Sequence, residues 1–290
     1  MLRYIVILLI SAIIAESAEF TEKCEYKYDG GFYAKQTVLT IKGLPTNLVY
    51  NPNTKDLFFT LIDLESLQND EEQTKMDLYM LKDGEPIKID NVHGQAAAVD
   101  EDKNIVYIAS DDGLHVLNQT KANFLSFNDN DIVQLFKPKG GDDLYAVVFP
   151  DNELYMIDIE KNVKTKVENV PCAFILAVDH DGNIYYECDS KYIKALLKDF
   201  EEPIEFAGIG KNAARGVNID RNGRAILAAN DGLYHLLPYS LVPQKVMNLP
   251  YVPSGIAFDE DGDVYVATNG AIHKYSDDHC RGGQDNRQVA

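Results

Sequence analysis

The feature that most constrains this chain is a unit of about forty residues that recurs along it. Residues 94–118 read GQAAAVDEDKNIVYIASDDGLHVLN, residues 173–195 read AFILAVDHDGNIYYECDSKYIKA, and residues 214–237 read ARGVNIDRNGRAILAANDGLYHLL. A fourth copy, residues 253–275, reads PSGIAFDEDGDVYVATNGAIHKY. Each has an apolar run ending in Asp, a polar turn, an alternating run, a second turn and a third short run, which is the pattern of strand, turn, strand, turn, strand. The third runs begin at Leu78, Leu114, Leu154, Tyr192, Leu233 and Ile272, spaced 36, 40, 38, 41 and 39 residues apart. The first runs end at Asn51, Asp100, Asp179, Asp220 and Asp259, while the third copy carries Lys137 where Asp is expected. Six such units of three or four strands predict an all-β fold, a six-bladed β-propeller; a sandwich would not repeat a three-strand unit so regularly. KYIKALLKDF (191–200) has helical spacing, but its place in the repeat reads as third strand plus turn.

Closing the ring requires one more strand. The last copy is followed by little chain, and GFYAKQTVLTI (31–41) has no blade of its own. It is expected to add the outer strand of the last blade and so remove an exposed edge. Cys24 precedes that strand and Cys280 follows the last one, so a Cys24–Cys280 disulfide would latch the closure. Cys172 and Cys188 flank a hairpin turning near residue 180 and form the second expected pair among the three pairings four cysteines allow.

The chain opens MLRYIVILLISAIIAESAEF, with Arg3, an apolar run and small residues at a cleavage position. This is the form of a secretory signal peptide over residues 1–17, followed by the propeller over 18–280 and a polar tail over 281–290. Secretion suits the cysteines, and Asn118-Gln119-Thr120 is a sequon for N-glycosylation at Asn118. A net charge of −19 argues against nucleic-acid and anionic-membrane partners. A soluble extracellular monomer is expected.

The DEDGD stretch, residues 259–263, invites a calcium reading. An EF-hand loop needs Gly at its sixth position and Glu at its twelfth, and counting from Asp259 gives Val264 and Gly270. DEDGD, DEDKN, DHDGN and DRNGR all fall between first and second strands, so a hairpin turn is the expected structure. Asp70, Glu71 and Glu72 fall in a solvated insertion of the first unit, and the six histidines show no HxH or HExxH spacing. No GxSxG, P-loop or CxxC motif occurs, and no catalytic residue, metal or cofactor is assigned.

Ligands of propellers usually meet the inner strands at one mouth of the central channel. The residues before the apolar runs of the first strands are Thr46, Gln95, Ile132, Phe174, Arg215 and Ser254. Thr46, Gln95, Phe174, Arg215 and Ser254 are the candidate ligand-binding residues: Arg215 could pair with a carboxylate and Phe174 could stack on a flat ring. This set contains no carboxylate.

The blade pattern of PSGIAFDEDGDVYVATNGAIHKY resembles six-bladed lactonase, strictosidine-synthase and NHL-type propellers. In the lactonase branch, an asparagine of a Pro-Asn-Gly before an inner strand joins acidic residues as calcium and catalytic ligands. Here the matching positions read Pro253-Ser254-Gly255 and Ala214-Arg215-Gly216, so the asparagine is replaced in both. The layout of CEYKYDGGFYAKQTVLTIKGLPTNLVYNPNTKDLFFT, IVYIASDDGLHVLN, PCAFILAVDHDGNIYYEC and a Cys after the last strand resembles the ommochrome-binding proteins of moth haemolymph. That resemblance implies a non-enzymatic, secreted carrier in haemolymph that binds a phenoxazinone pigment such as xanthommatin reversibly, with the ligand's amino-acid group giving Arg215 a carboxylate to meet. A calcium-dependent lactonase or esterase of the same propeller class is the alternative.

Overall fold

A computed structural model describes residues 23–68, 74–189, 191–278 and 280. The expected signal peptide, the tail, the acidic insertion at Asp70–Glu72 and His279 lie outside them. The described chain forms six antiparallel sheets and one short 3-10 turn, Ser66–Gln68, with no α-helix among the described residues. The first blade comprises Leu44–Asn51, Asp56–Ile62, Met76–Lys82 and Glu85–Lys88. The innermost strands of the next four are Gly94–Asp100, Asp131–Phe136, Ile175–Val178 and Ala214–Ile219. The sixth blade runs outward from Gly255–Phe258 through Val264–Thr268 and Ala271–Ser276. Lys194–Leu196 is the third strand of the fourth blade, as the repeat required of KYIKALLKDF.

Closure follows the expected route and extends it. Gly31–Thr40 pairs with Ala271–Ser276, and Cys24–Tyr28 adds a further strand outside it, making the last blade five-stranded. Cys24 and Cys280 are bonded, with Cα atoms 5.7 Å apart. Cys172 and Cys188 are also bonded, with Cα atoms 5.4 Å apart. Their hairpin is offset from the expected register: Ile175 faces Glu187, so Cys172 lies before the strand and reaches across to Cys188.

Both faces of every blade are covered, which is why apolar residues run without interruption along many strands. Six buried apolar clusters occupy the six gaps between neighbouring blades. Alternation divides adjacent residues between gaps: Phe58 packs toward the second blade, while Phe59 packs toward the sixth. Tyr185 and Tyr186 divide in the same way between the fifth and third blades.

The recurrent polar turns are Asx turns. Asp259 Oδ1 accepts the backbone N–H groups of Asp261 and Asp263 at 3.1 and 2.9 Å. Asp179 and Asp220 repeat this with N···O distances of 2.9–3.0 Å, and Asn51 Oδ1 accepts from Asn53 at 3.0 Å. The second oxygen is also engaged: Asp220 Oδ2 accepts from Arg224 Nε at 2.7 Å, and Asp259 Oδ2 lies 3.2 Å from Lys274 Nζ. Burial alone would lower the Lys274 ammonium, but its hydrogen bond to Asp263 and the nearby negative charges outweigh burial and hold it above its ordinary range. DEDGD is therefore a hairpin turn organised by one carboxylate.

Inner strands approach the next blade closely. A Cβ on Gly94 would lie 2.5 Å from Leu78 Cβ, inside van der Waals contact. Gly94→Ala is expected to destabilise the fold by about 1–3 kcal/mol through overpacking, read as a lower urea midpoint with an unchanged slope.

Candidate functional site

The inner strands enclose a central channel of about 470 Å³. Its wall is apolar at Leu48, Leu176, Val217 and Ile256, with Asn47, Gln134 and Asn218 inserted from the first, third and fifth blades. Gln134 Nε2 donates to Asn47 Oδ1 at 3.3 Å, and Asn47 Nδ2 donates to the Gln95 carbonyl at 2.9 Å. Asn218 Nδ2 donates to the Ile256 carbonyl at 3.0 Å. A primary amide has two N–H donors, so Asn47 and Gln134 each keep one for a ligand, whereas Asn218 Nδ2 also donates to the Leu48 carbonyl at 3.5 Å and has both donors engaged.

The two mouths differ. At the mouth where inner strands end, the Asx turns gather Glu101, Lys137, Lys139, His180, Arg221 and Glu260. Their charges are largely met locally. Lys139 pairs with Glu101 at 2.9 Å, Arg221 donates to the Asp261 carbonyl, and Lys137, buried, lies 3.8 Å from Asp100 and donates to the Gly141 carbonyl. Lys137 thus holds its turn from the opposite polarity: the cation binds a carbonyl where four blades use a carboxylate, and the first uses the Asn51 amide oxygen, to accept from N–H groups.

At the mouth where inner strands begin, two of the candidate residues fasten blades together. Ser254 Oγ donates to the Pro45 carbonyl at 2.6 Å, joining the sixth blade to the first. Gln95 is buried, and its Nε2 donates to Asp131 Oδ1 at 2.6 Å, joining the second blade to the third. Thr46 Oγ1 donates to the Thr60 carbonyl at 3.3 Å within its own blade, and Ile132 is core. Phe174 is 51% exposed at the rim, one residue before Ile175 of the wall. Of the six, Arg215 lines the channel. Its Nε donates to Asn230 Oδ1 at 2.8 Å, and no carboxylate stands within ion-pairing distance among the described residues.

Irregular pairing explains the offset between the expected and observed lining. Four inner strands carry bulges near this mouth, between Thr46 and Val49, Gly94 and Ala96, Ile132 and Gln134, and Ala214 and Gly216. A bulge puts an extra residue opposite its partner and re-aims the side chains after it. Simple alternation therefore missed Asn47, Gln134 and Asn218, although each is a polar residue interrupting an apolar inner run. It also missed Glu187, the one carboxylate at the top of the fourth blade's second strand. Glu187 is buried, burial pushes its carboxyl above the usual range, and its Oε1 has no hydrogen-bond partner.

No family model matches this sequence, and no curated protein matches it. Solved structures do share its fold. A gluconolactonase from Xanthomonas campestris aligns with TM-score 0.66 at 11% identity, covering 88% of this chain and 95% of its own. Regucalcin from Agrobacterium tumefaciens, named a calcium-binding protein, aligns with TM-score 0.60 at 14% identity over 83% of this chain and 93% of its own. A luciferin-regenerating enzyme aligns with TM-score 0.59 at 12% identity over 84% of this chain and 95% of its own. The expectation of a non-enzymatic chain is corrected by these likenesses: the fold, along most of its length, is one on which proteins named as enzymes are built. The physical reason the sequence reading failed is that a propeller draws its site from several blades and leaves no contiguous catalytic motif.

Calcium, which regucalcin is named for binding, requires several oxygen ligands that usually include carboxylates. The residues here do not fit it. At the Arg215 mouth the carboxylate of Asp131 is taken by Gln95, Glu187 is enclosed, and the rest of the lining offers amides and the Arg215 cation, while the buried carboxylates of Asp179, Asp220 and Asp259 are spent on their own turns. The grouping of Cys172, Cys188 and Asp189 offers no thiolate, because its sulfurs are bonded to each other. Added calcium or a chelator is therefore expected to leave the melting temperature unchanged within about 1 °C, whereas saturation at 100 times a dissociation constant would contribute about 2.7 kcal/mol. Differential scanning calorimetry decides this.

Proposed function

We propose that the chain hydrolyses a small lactone or ester in the central channel, without calcium held at the Arg215 mouth. The channel carries this reading: about 470 Å³ of largely apolar space with three amides facing in, a size and lining suited to a small molecule. The fold shared with a gluconolactonase supports the reaction class. Water would add to the ester carbonyl carbon, the ring C–O bond would break, and the alkoxide would take a proton, leaving a hydroxy acid. The remaining N–H groups of Gln134 and Asn47 are the donors available to the carbonyl oxygen as it gains charge. In this reading the protein acts in an oxidising compartment, which the two disulfides support. Among the described residues no helix is long and apolar enough to cross a membrane.

A second reading, reversible binding of a flat phenoxazinone pigment in the same cavity, is favoured by the exposed Phe174 ring beside the apolar wall. Titration with xanthommatin would give a saturable visible shift that Phe174→Ala weakens.

The deciding experiment is a panel of glucono-δ-lactone, dihydrocoumarin and p-nitrophenyl acetate, with and without chelator. Turnover that survives chelation, and falls about 100-fold in Gln134→Leu, is the expected outcome. A panel with no turnover would sink the hydrolase reading.

A further inference from the structure

Arg215 stands out in a chain of net charge −19, because cations elsewhere on it are commonly paired with acids. Arg215 lines the channel mouth, its guanidinium is fixed by one bond from Nε to Asn230, and it has no described acid within ion-pairing distance. A guanidinium steadied at Nε still presents its terminal N–H groups, the geometry that suits a carboxylate.

The acid nearest in effect is Glu187. It projects on the same face of the fourth blade as Ile175 and Tyr185, toward the fifth blade, and the Arg215 charge reaches it across that interface. Glu187 is only 5% exposed, with Oε1 fully enclosed and unpartnered. Around it, the Lys191 backbone N–H donates to the carboxyl, Asp189 adds a like charge, and the Lys191 ammonium is occupied by Asp189 at 3.2 Å. Burial comes first among the causes that raise the Glu187 carboxyl above the usual carboxylate range. A buried carboxyl in its neutral form leaves the guanidinium across the interface uncompensated; once ionised, it adds a negative charge that weakens the guanidinium's pull on an anion.

We propose that the mouth beside Arg215 is a binding site for a small monocarboxylate, held by Arg215, with Glu187 behind it setting the pH range over which the anion is accepted. The site rests on the channel being the small-molecule site described above, and its ligand class is that of a hydroxy acid released by lactone hydrolysis. With Glu187 neutral, Arg215 is free for the ligand. As pH rises through the Glu187 ionisation, the protein's own carboxylate competes and affinity falls. Glu187 is thus a positioning residue that acts through Arg215.

The test uses 3-(2-hydroxyphenyl)propionate and its uncharged amide, titrated calorimetrically into the full chain between pH 5 and 8. The acid is expected to bind at least about tenfold more tightly than the amide at the low end, with the difference shrinking as pH rises. Arg215→Gln should equalise the two, and Arg215→Lys should retain part of the preference. Glu187→Gln should keep low-pH affinity throughout and flatten the profile; Glu187→Met, which cannot ionise either, repeats the test if the first variant folds poorly. Equal binding of acid and amide, binding of neither, or an unchanged preference in Arg215→Gln overturns the site. An unchanged pH profile in both Glu187 variants overturns the part given to Glu187. Dihydrocoumarin turnover is measured beside it: carboxylate binding without turnover leaves this site standing and removes the hydrolase, whereas turnover with no carboxylate preference does the reverse.

Discussion

Closure of the ring is the constraint on which everything else in this molecule depends. A propeller buries each blade against two neighbours, so six blades need six filled gaps. The gap between sixth and first is filled by Leu39, Leu48, Phe59, Tyr265 and Ile272, drawn from both ends of the described chain. Leu39 belongs to the strand that precedes the first blade but pairs into the last. If that strand left, the last blade would lose its cover and the first would lose part of its own. The Cys24–Cys280 bond, the Ser254–Pro45 clasp and the Arg224–Asp29 ion pair at 2.9 Å all bear on this one junction or the strand that completes it. Long-range closure of this kind is slow to form and entropically costly, and a covalent bond across 256 residues reduces the freedom of the open chain.

The closed ring dictates what each end of its channel can be. Where inner strands finish, the chain must reverse, and every reversal needs its N–H groups satisfied. Carboxylates perform that task in the second, fourth, fifth and sixth blades, Asn51 performs it in the first, and Lys137 holds the third by an inverted bond. That mouth is rich in charge for structural reasons. Where inner strands begin, the chain arrives from an outer strand of the preceding blade, and side chains there clasp neighbouring blades through amides and hydroxyls. Arg215 is the exception, a charge without a structural counter-charge.

Much of the fold was legible in the sequence because the repeat is written twice, once in apolar alternation and once in turn chemistry. The aspartate that ends each first run is both the mark of the repeat and the acceptor that makes its turn. The half-cystines were legible because they bracket the closing strand and one hairpin. The channel lining was not. Asn47 has φ of 49° and sits within a bulge, so counting twos from the apolar run misplaces it. Glu187 escaped for another reason: it lies on a second strand, outside the inner set where ligands were sought, and its isolation from partners is a property of packing between blades. An enzymatic reading had no motif to rest on, because the residues that line the channel are scattered over blades some forty residues apart.

The bulges carry a consequence of their own. They fall at the same level in four inner strands, above the clusters that hold adjacent blades together. The direction of a mouth side chain is thereby uncoupled from the alternation that packs the sheet beneath it. Gln134 and Arg215 line the channel outside the buried clusters that seat the blades. The architecture separates a packed frame from a lip whose side chains do not set the packing, so substitutions at the lip are tolerated by the fold where substitutions in the clusters are not.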